Sequence, residues 1–252
     1  MNSTLHHGLR LLEHLAASPT PVALSDLSRA LGLAKSQAHR LLHSLVEAGY
    51  VVQDSRRRYA IGLKVMGLTG SIMLHHPLRL MALPVVRAQS AASGLEVVFS
   101  VLSGGRALVL ATDHPEGRVR DPFAVLGQSA PLHAWANGKV LLAFMPLAQQ
   151  EALLAELPLP RYTPRTITDR ARLVSELRRI RQRGWALNNR ENQTAVTSVS
   201  VPVFDDCHRC IAALGASWPL DVRPTPATRD VVVEALQHAV IPLAKRSVAG
   251  LP

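Results

Sequence analysis

The sequence predicts an α/β (α+β) protein in two parts, a small helical unit closed by a hairpin and a larger unit in which strands alternate with helices. Three observations carry this. Residues 24–62, LSDLSRALGLAKSQAHRLLHSLVEAGYVVQDSRRRYAIG, hold two short amphipathic runs split by Gly32, then two strand-like runs around Asp54-Ser55-Arg56. Beyond residue 77, β-rich runs at 96–102, 107–112, 196–204 and 211–217 are interleaved with helical runs, the pattern of helices covering an antiparallel or mixed sheet. The chain has 252 residues, enough for two domains.

Leu5, Leu9, Leu12 and Leu15 recur at helical spacing, so the first helix covers 5–18. Ser18-Pro19-Thr20-Pro21 stops it, because the residue before a proline is pushed out of the helical region. Ser25 is the expected N-cap of the second helix, Asp26 suits its positive end, and Gly32 turns the chain at its close. A third helix covers 35–48 and stops at Gly49, and the hairpin follows. An apolar helical run at 63–74 reads as a linker helix, ended by His75-His76-Pro77. Further helices are expected at 78–92, 138–145, 147–156 and 169–183, the last with Leu173, Leu177 and Ile180 on one face. Gly104-Gly105 turns the first strand pair, and Thr225-Pro226 reads as an N-cap and first position opening a final helix to about Val248.

Hydrophobic residues make up 48% and charged residues 18%, a globular composition. The net charge of +10 calls for an anionic partner. The excess is not confined to the front, since the first 65 residues hold eight Lys/Arg against four acids. Two cysteines make no disulfide framework. The start MNSTLHHGLR lacks a basic-then-apolar leader pattern, and no apolar run approaches membrane-spanning length. The expectation is a soluble, cytoplasmic protein with no membrane partner.

On the third helix, Ala38, Leu41, Leu42 and Leu45 face inward, and Ser36, Arg40, His43 and Ser44 face outward, flanked by Gln37 and His39. A helix lying in a DNA groove needs this division. Arg40 suits bidentate pairing with guanine and Gln37 with adenine, while Lys35 and Ser36 suit phosphates. Arg56, Arg57 and Arg58 at the hairpin tip suit a wing along the DNA backbone or minor groove. Helix, turn, helix and basic hairpin in this order make double-stranded operator DNA the expected partner.

The run ALSDLSRALGLAKSQAHRLLHSLVEAGYVVQDSRRRYAIG resembles the winged helix-turn-helix of the isocitrate-lyase-regulator (IclR) family of bacterial transcription regulators. The resemblance continues through APLHAWANGKVLLAFMP at 130–146, YTPRTITDRARLVSELRRIRQRGWAL at 162–187, and the strands SVSVPVF and CIAALGASWP. It implies a winged helix-turn-helix DNA-binding domain at 1–62, a linker helix at 63–76, and a GAF-like effector-binding and oligomerisation domain at 77–252. It also implies homodimers paired into tetramers. The family's effector pocket is lined at the positions of Ala136, Asn137, Gly138, Asn188, Ser198, Gly215 and Ser217. The family often has an acid where this chain has Asn188 and a cysteine where it has Ser198. Two family serines become Gly215 and Ser217, so one hydroxyl is lost and more room is expected, and Ala195 replaces a frequent glycine.

The residues support a small-molecule site independently. The segment from His133 to Lys139 opens a helix, and backbone N–H groups at a helix N-terminus suit a carboxylate or phosphate. Gly138 either lets a ligand approach closely or fits a turn, and His133 reads as an ordinary buried histidine. An organic or aromatic carboxylate is the expected effector.

Cys207-His208-Arg209-Cys210 has CxxC spacing but no second pair, so no metal or redox cofactor is expected there. His6-His7 and His75-His76 are poor chelators, because neighbours on a helix diverge. The arginines between 170 and 183 read as a solvated helix face rather than a second nucleic-acid surface. G-x-S-x-G, H-E-x-x-H, P-loop and G-x-G-x-x-G motifs are absent. The expected function is a ligand-responsive, DNA-binding transcriptional regulator, not an enzyme. The rival classes are an enzyme with an appended nucleic-acid module and an architectural DNA-binding protein without an effector.

Overall fold

A computed structural model describes residues 3–115 and 124–244. The chain divides into two compact units, Met1–His76 and Pro77–Pro252.

The first unit runs α1 (Ser3–Ala17), β1 (Val22–Ala23), α2 (Leu24–Leu31), α3 (Lys35–Glu47), β2 (Val51–Gln53), β3 (Arg58–Ile61) and α4 (Val65–His75). Leu11 and Leu15 of α1, Leu27 of α2, Leu42 of α3, Val51 and Tyr59 form its core. Each buried leucine contributes about 1.5–3 kcal/mol, which holds three short helices that are marginal alone. Gly32 closes α2 at φ 66°, and the N–H groups of Gly32 and Leu33 return to the carbonyls of Arg29 and Ser28. The start of α2 differs from expectation. Ala23, not Ser25, is the N-cap residue, because Val22 and Ala23 are drawn into β1 opposite Tyr59 and Arg58. The resulting sheet has the order β1-β3-β2.

The second unit contains α5 (Pro77–Ser93), β4 (Glu96–Ser103), β5 (Arg106–Asp113), β6 (Ser129–Ala130), α6 (Ala136–Phe144), α7 (Leu147–Glu156), α8 (Arg170–Arg183), β7 (Ala186–Asn189), β8 (Thr197–Phe204), β9 (Cys210–Ser217) and α9 (Pro226–Ala244). Six strands form one antiparallel sheet in the order β6-β5-β4-β9-β8-β7. One face packs on α5 and α9 through Val97, Phe99, Val199, Val201 and Leu214. The other packs on α6, α7 and α8 through Val98, Val109, Ala186 and Ala213. Covered on both faces, the strands read as apolar runs rather than alternating ones.

Asp169 caps α8 by accepting from the N–H of Arg172 at 2.7 Å, and Thr225 caps α9 through the N–H of Thr228 at 3.2 Å. The expected end of α9 near Val248 lies outside the described residues. β6 and β7 were not anticipated. Among the described residues no helix is long and apolar enough to cross a membrane.

Candidate functional site

In the first unit, Ala38 and Leu42 are fully buried under α3, with Leu41 and Leu45 packed beside them. Lys35, Ser36, His39, Arg40, His43 and Ser44 are exposed. Anchoring on one side and polar reach on the other follow from the 3.6-residue period. Gln37 is half-buried, and its Nε2 meets His7 Nδ1 of α1 at 3.2 Å, so α1 positions a side chain that the sequence reading aimed at a base.

Asp54 clamps the hairpin between β2 and β3. Its Oδ1 accepts from the N–H groups of Arg56 at 2.9 Å and Arg58 at 2.8 Å, and its Oδ2 accepts from Arg58 Nε at 2.8 Å. These bonds, the Arg58 N–H first, hold the Asp54 carboxyl below the usual carboxylate range. Arg57 turns the chain at φ 58°. The three arginines therefore divide. Arg56 and Arg57 are exposed, whereas the half-buried Arg58 pairs its guanidinium with Asp54 inside the turn.

In the second unit, the sheet face under α6 carries polar side chains in register. Asn188 lies opposite Ser198, Ser198 opposite Ser217, and Ser217 opposite Glu96. All four are buried. Opposed residues point to the same face, so they form a row across β7, β8, β9 and β4. Glu96 Oε2 continues it to His114 Nδ1 at 2.9 Å. One step along the strands, Asn137 of α6 donates to the carbonyls of Val98 (3.2 Å) and Ala213 (3.3 Å) and to Ser100 Oγ (3.1 Å). Ser198 Oγ is buried with no hydrogen-bond partner. The N-cap residue of α6, Trp135, supplies no side-chain cap, and first-turn N–H groups have no partner within a helix.

Comparison with known proteins settles what this pairing of units is. Residues 4–55 match the IclR helix-turn-helix domain, and residues 71–243 match the bacterial transcriptional regulator IclR C-terminal domain. The chain belongs to the IclR family. It is 33% identical over 251 residues to the glycerol operon regulatory protein of Streptomyces griseus, covering 98% of this chain and 97% of that one. An IclR transcriptional regulator from Silicibacter sp. TM1040 superposes with a TM-score of 0.80 at 28% identity, covering 99% and 98% of the two chains. An IclR homologue from Microbacterium hydrocarbonoxydans, solved with 4-hydroxybenzoate, gives 0.76 at 27% identity over 96% and 97%. The chain is accordingly a ligand-responsive DNA-binding transcriptional regulator, with a helix-turn-helix domain and an effector domain.

Several residues expected to line the effector pocket of this IclR chain have structural employment. Asn188 Oδ1 accepts from the N–H of Glu191 at 2.8 Å, and its Nδ2 donates to Asn192 Oδ1 at 2.6 Å. The turn so formed places Glu191 against Lys139, whose Nζ lies 2.7 and 2.8 Å from the two carboxylate oxygens and 2.5 Å from the Leu187 carbonyl. At Gly215 the Asn137 amide fills the place where a Cβ would stand. At Gly138 a Cβ would fall 2.6 Å from Leu132 Cα, so the close approach there is of neighbouring backbone. His133 Nε2 donates to the Pro160 carbonyl at 3.0 Å, and burial pushes its pKa down.

The remaining motifs make contacts within the chain. Asp205 Oδ1 accepts from the N–H groups of Cys207 and Arg209. Burial pushes the Cys210 thiol up to about 12, against the thiolate that metal binding or exchange requires. Among the arginines of α8, Arg170 donates to the carbonyls of Ala155 and Leu157, and Arg181 to those of Ala143 and Met145. They satisfy carbonyls at the C-terminal ends of α7 and α6. The sequence reading missed Glu96, His114, and the Lys139–Glu191 pair. A lone acid in GLEVVFSV and a lone lysine in the apolar GKVLLAF were the available signals.

Proposed function

We propose that the effector of this regulator is a small organic carboxylate, held where α6 begins above β8 and β9. The observation that carries this is Ser198 Oγ, a buried hydroxyl with no partner on the strand against which α6 packs. A buried hydroxyl without a bond costs about 1–3 kcal/mol, so a ligand that accepts from it recovers that energy. The positive end of α6, whose Asn137 lies against β4 and β9 of the same sheet face, favours an anion under that helix, and Ser217 lies opposite Ser198 on the next strand. The aromatic carboxylate bound by the Microbacterium hydrocarbonoxydans homologue fits this chemistry.

On DNA, Arg40 and His39 read bases, Lys35 and Ser36 hold phosphates, and Arg56 and Arg57 grip the backbone beside the groove. The working form is a homodimer, paired further into a tetramer. α4 supports self-association, since it buries no residue although Met66, Leu68, Ile72 and Leu74 are apolar and exposed. A dimer presents two reading helices to half-sites about one helical turn apart. Ligand binding shifts the population of dimers that fit that spacing.

Calorimetry with a panel of carboxylates, neutral metabolites and amines tests the effector class. Heat of binding from at least one carboxylate, weakened in Ser198→Ala, is expected. Binding of a neutral or cationic metabolite with silence from every carboxylate overturns the proposal.

A further inference from the structure

Four arginines from separate stretches of the second unit close on one small cleft beside the edge strand β7. They are Arg165 ahead of α8, Arg190 just after β7, Arg223 ahead of α9 and Arg229 in the first turn of α9. The cleft holds about 190 Å³, and no acid lines it. Leu187 and Asn189 of β7 line it too, and Leu187 packs toward the α5 and α9 side of the sheet. Successive residues of a strand point to opposite faces. Asn188 belongs to the α6 face, so the cleft lies on the other side of the sheet from the effector row.

These arginines are held in place but not neutralised. Arg165 donates to Asn189 Oδ1 at 3.0 Å. Arg229 donates Nε and Nη2 to Asp230 Oδ1 at 3.0 and 2.9 Å, with its guanidinium 4.9 Å from the Trp185 ring. The Arg190 side chain is only 14% exposed, and its Nε is buried with no hydrogen-bond partner. Its ion partner Asp221 stands at 3.7 Å on a side chain 82% exposed. That distance is past hydrogen bonding, and water screens so exposed a partner. A guanidinium this far out of water is costly unless an anion bonds it. Among the described residues, four guanidiniums face the carboxylates of Asp221 and Asp230, which leaves two positive charges over.

We propose that this cleft is a second ligand site and binds a phosphate group, free or at the end of a small ester. A phosphate monoester carries about −1.5 to −2 at neutral pH, which matches the excess, whereas a carboxylate brings one charge. The guanidinium fork pairs bidentately with phosphate oxygens. Ligand pockets usually run about 300–1,000 Å³, so this one takes a charged group rather than a whole metabolite. A cavity of about 650 Å³ adjoins it along Arg165, Leu187 and Asn189 and gives an ester room to continue. Glu176 and Glu191 line that larger cavity, so the anion belongs in the small cleft. The site does not rest on the carboxylate reading of the α6 face.

Calorimetry on the full chain tests this with inorganic phosphate, ribose 5-phosphate, ribose and succinate. Both phosphates are expected to bind, ribose to be silent, and succinate to be about tenfold weaker or more. Tighter binding of ribose 5-phosphate assigns the site to an ester, and equal or tighter binding of inorganic phosphate assigns it to the free ion. R190Q is expected to weaken phosphate about tenfold or more. If R190Q does not melt as a folded protein, R165A/R223A removes two exposed arginines with the same expected loss. S198A is expected to leave phosphate affinity unchanged. Silence from both phosphates, succinate as tight as phosphate, or full affinity in R165A/R223A overturns the proposal. A loss of phosphate affinity in S198A places the anion on the α6 face and overturns it as well. A lower salt slope of DNA binding in R165A/R223A, with both phosphates silent, makes the surface a DNA contact instead.

Discussion

The two units spend their polar side chains in opposite ways. α3 exposes Lys35, Ser36, His39 and Arg40 and buries only leucine and alanine. α6 buries Asn137 and Lys139 and lies over a sheet face that buries Glu96, Ser198 and Ser217. A solvated polar face meets a partner that brings its own charges, and binding there is screened by salt. A buried polar face must be satisfied by protein or by ligand, and each group left over costs stability. The same residue types therefore report on different things, affinity in one unit and folding in the other.

The sharpest break of this contrast is expected at the Lys139–Glu191 pair. Glu191→Ala leaves a buried ammonium beside the Leu187 carbonyl alone and is expected to cost about 3–5 kcal/mol in urea unfolding. A loss below about 1 kcal/mol places this pair with ordinary surface ion pairs and ends the contrast. Arg40→Ala is expected to do the reverse. Specific DNA affinity falls by about 1–3 kcal/mol in fluorescence anisotropy while the melting temperature stays put.

The two hairpin tips sharpen the contrast further. Asp54 and Asp205 make the same bonds to residues two and four positions on, with positive φ at Arg57 and His208. Arg58 and Arg209 each return Nε to the carboxylate at 2.8 Å. The fourth residue after the aspartate is thus structural in both, and only the exposed residues between differ, Ser55, Arg56 and Arg57 against Asp206, Cys207 and His208. Removing Arg56 and Arg57 together is expected to lower the slope of log affinity against log salt by about 2 on any DNA sequence, at about 0.9 per phosphate contact. Arg58→Ala is expected to leave that slope in place and lower the melting temperature.

The smallest expected effect is a pH dependence. Burial lowers the pKa of His133 in the folded chain, so the unfolded chain takes up its proton first as pH falls. Stability from this residue is complete above about pH 6.5 and declines as pH drops from there toward the folded pKa. Thermal melts of the native chain between neutral and mildly acidic pH should fall more steeply than those of His133→Gln. Parallel curves would show that His133 does not set the acid limb of stability.

Much of the fold was legible because its signals are local. Leucine spacing marked α1 and α8, Gly32 and Gly184 stop helices at positive φ, and Thr225-Pro226 opens α9. β1 was not legible, since Val22 and Ala23 become a strand only when β3 lies beside them. β7 was hidden for the same reason, its ALNN being half polar. The face of α3 could be drawn from periodicity alone, because exposure is what its chemistry requires. The sheet row could not, because Asn188, Ser198, Ser217 and Glu96 come from four strands whose register the sequence does not state. The family pattern supplied three of these positions and not Glu96.

A ligand that fills the α6 face of the second unit is expected to change DNA binding by the first. The direct measurement is operator affinity by anisotropy, using an operator selected from random-sequence DNA and a carboxylate that binds in calorimetry. Saturating ligand is expected to shift that affinity about fivefold or more. The half-maximal effect should fall at the calorimetric Kd, and Ser198→Ala should need more ligand for the same shift. Operator affinity that stays constant while calorimetry shows the site full contradicts it.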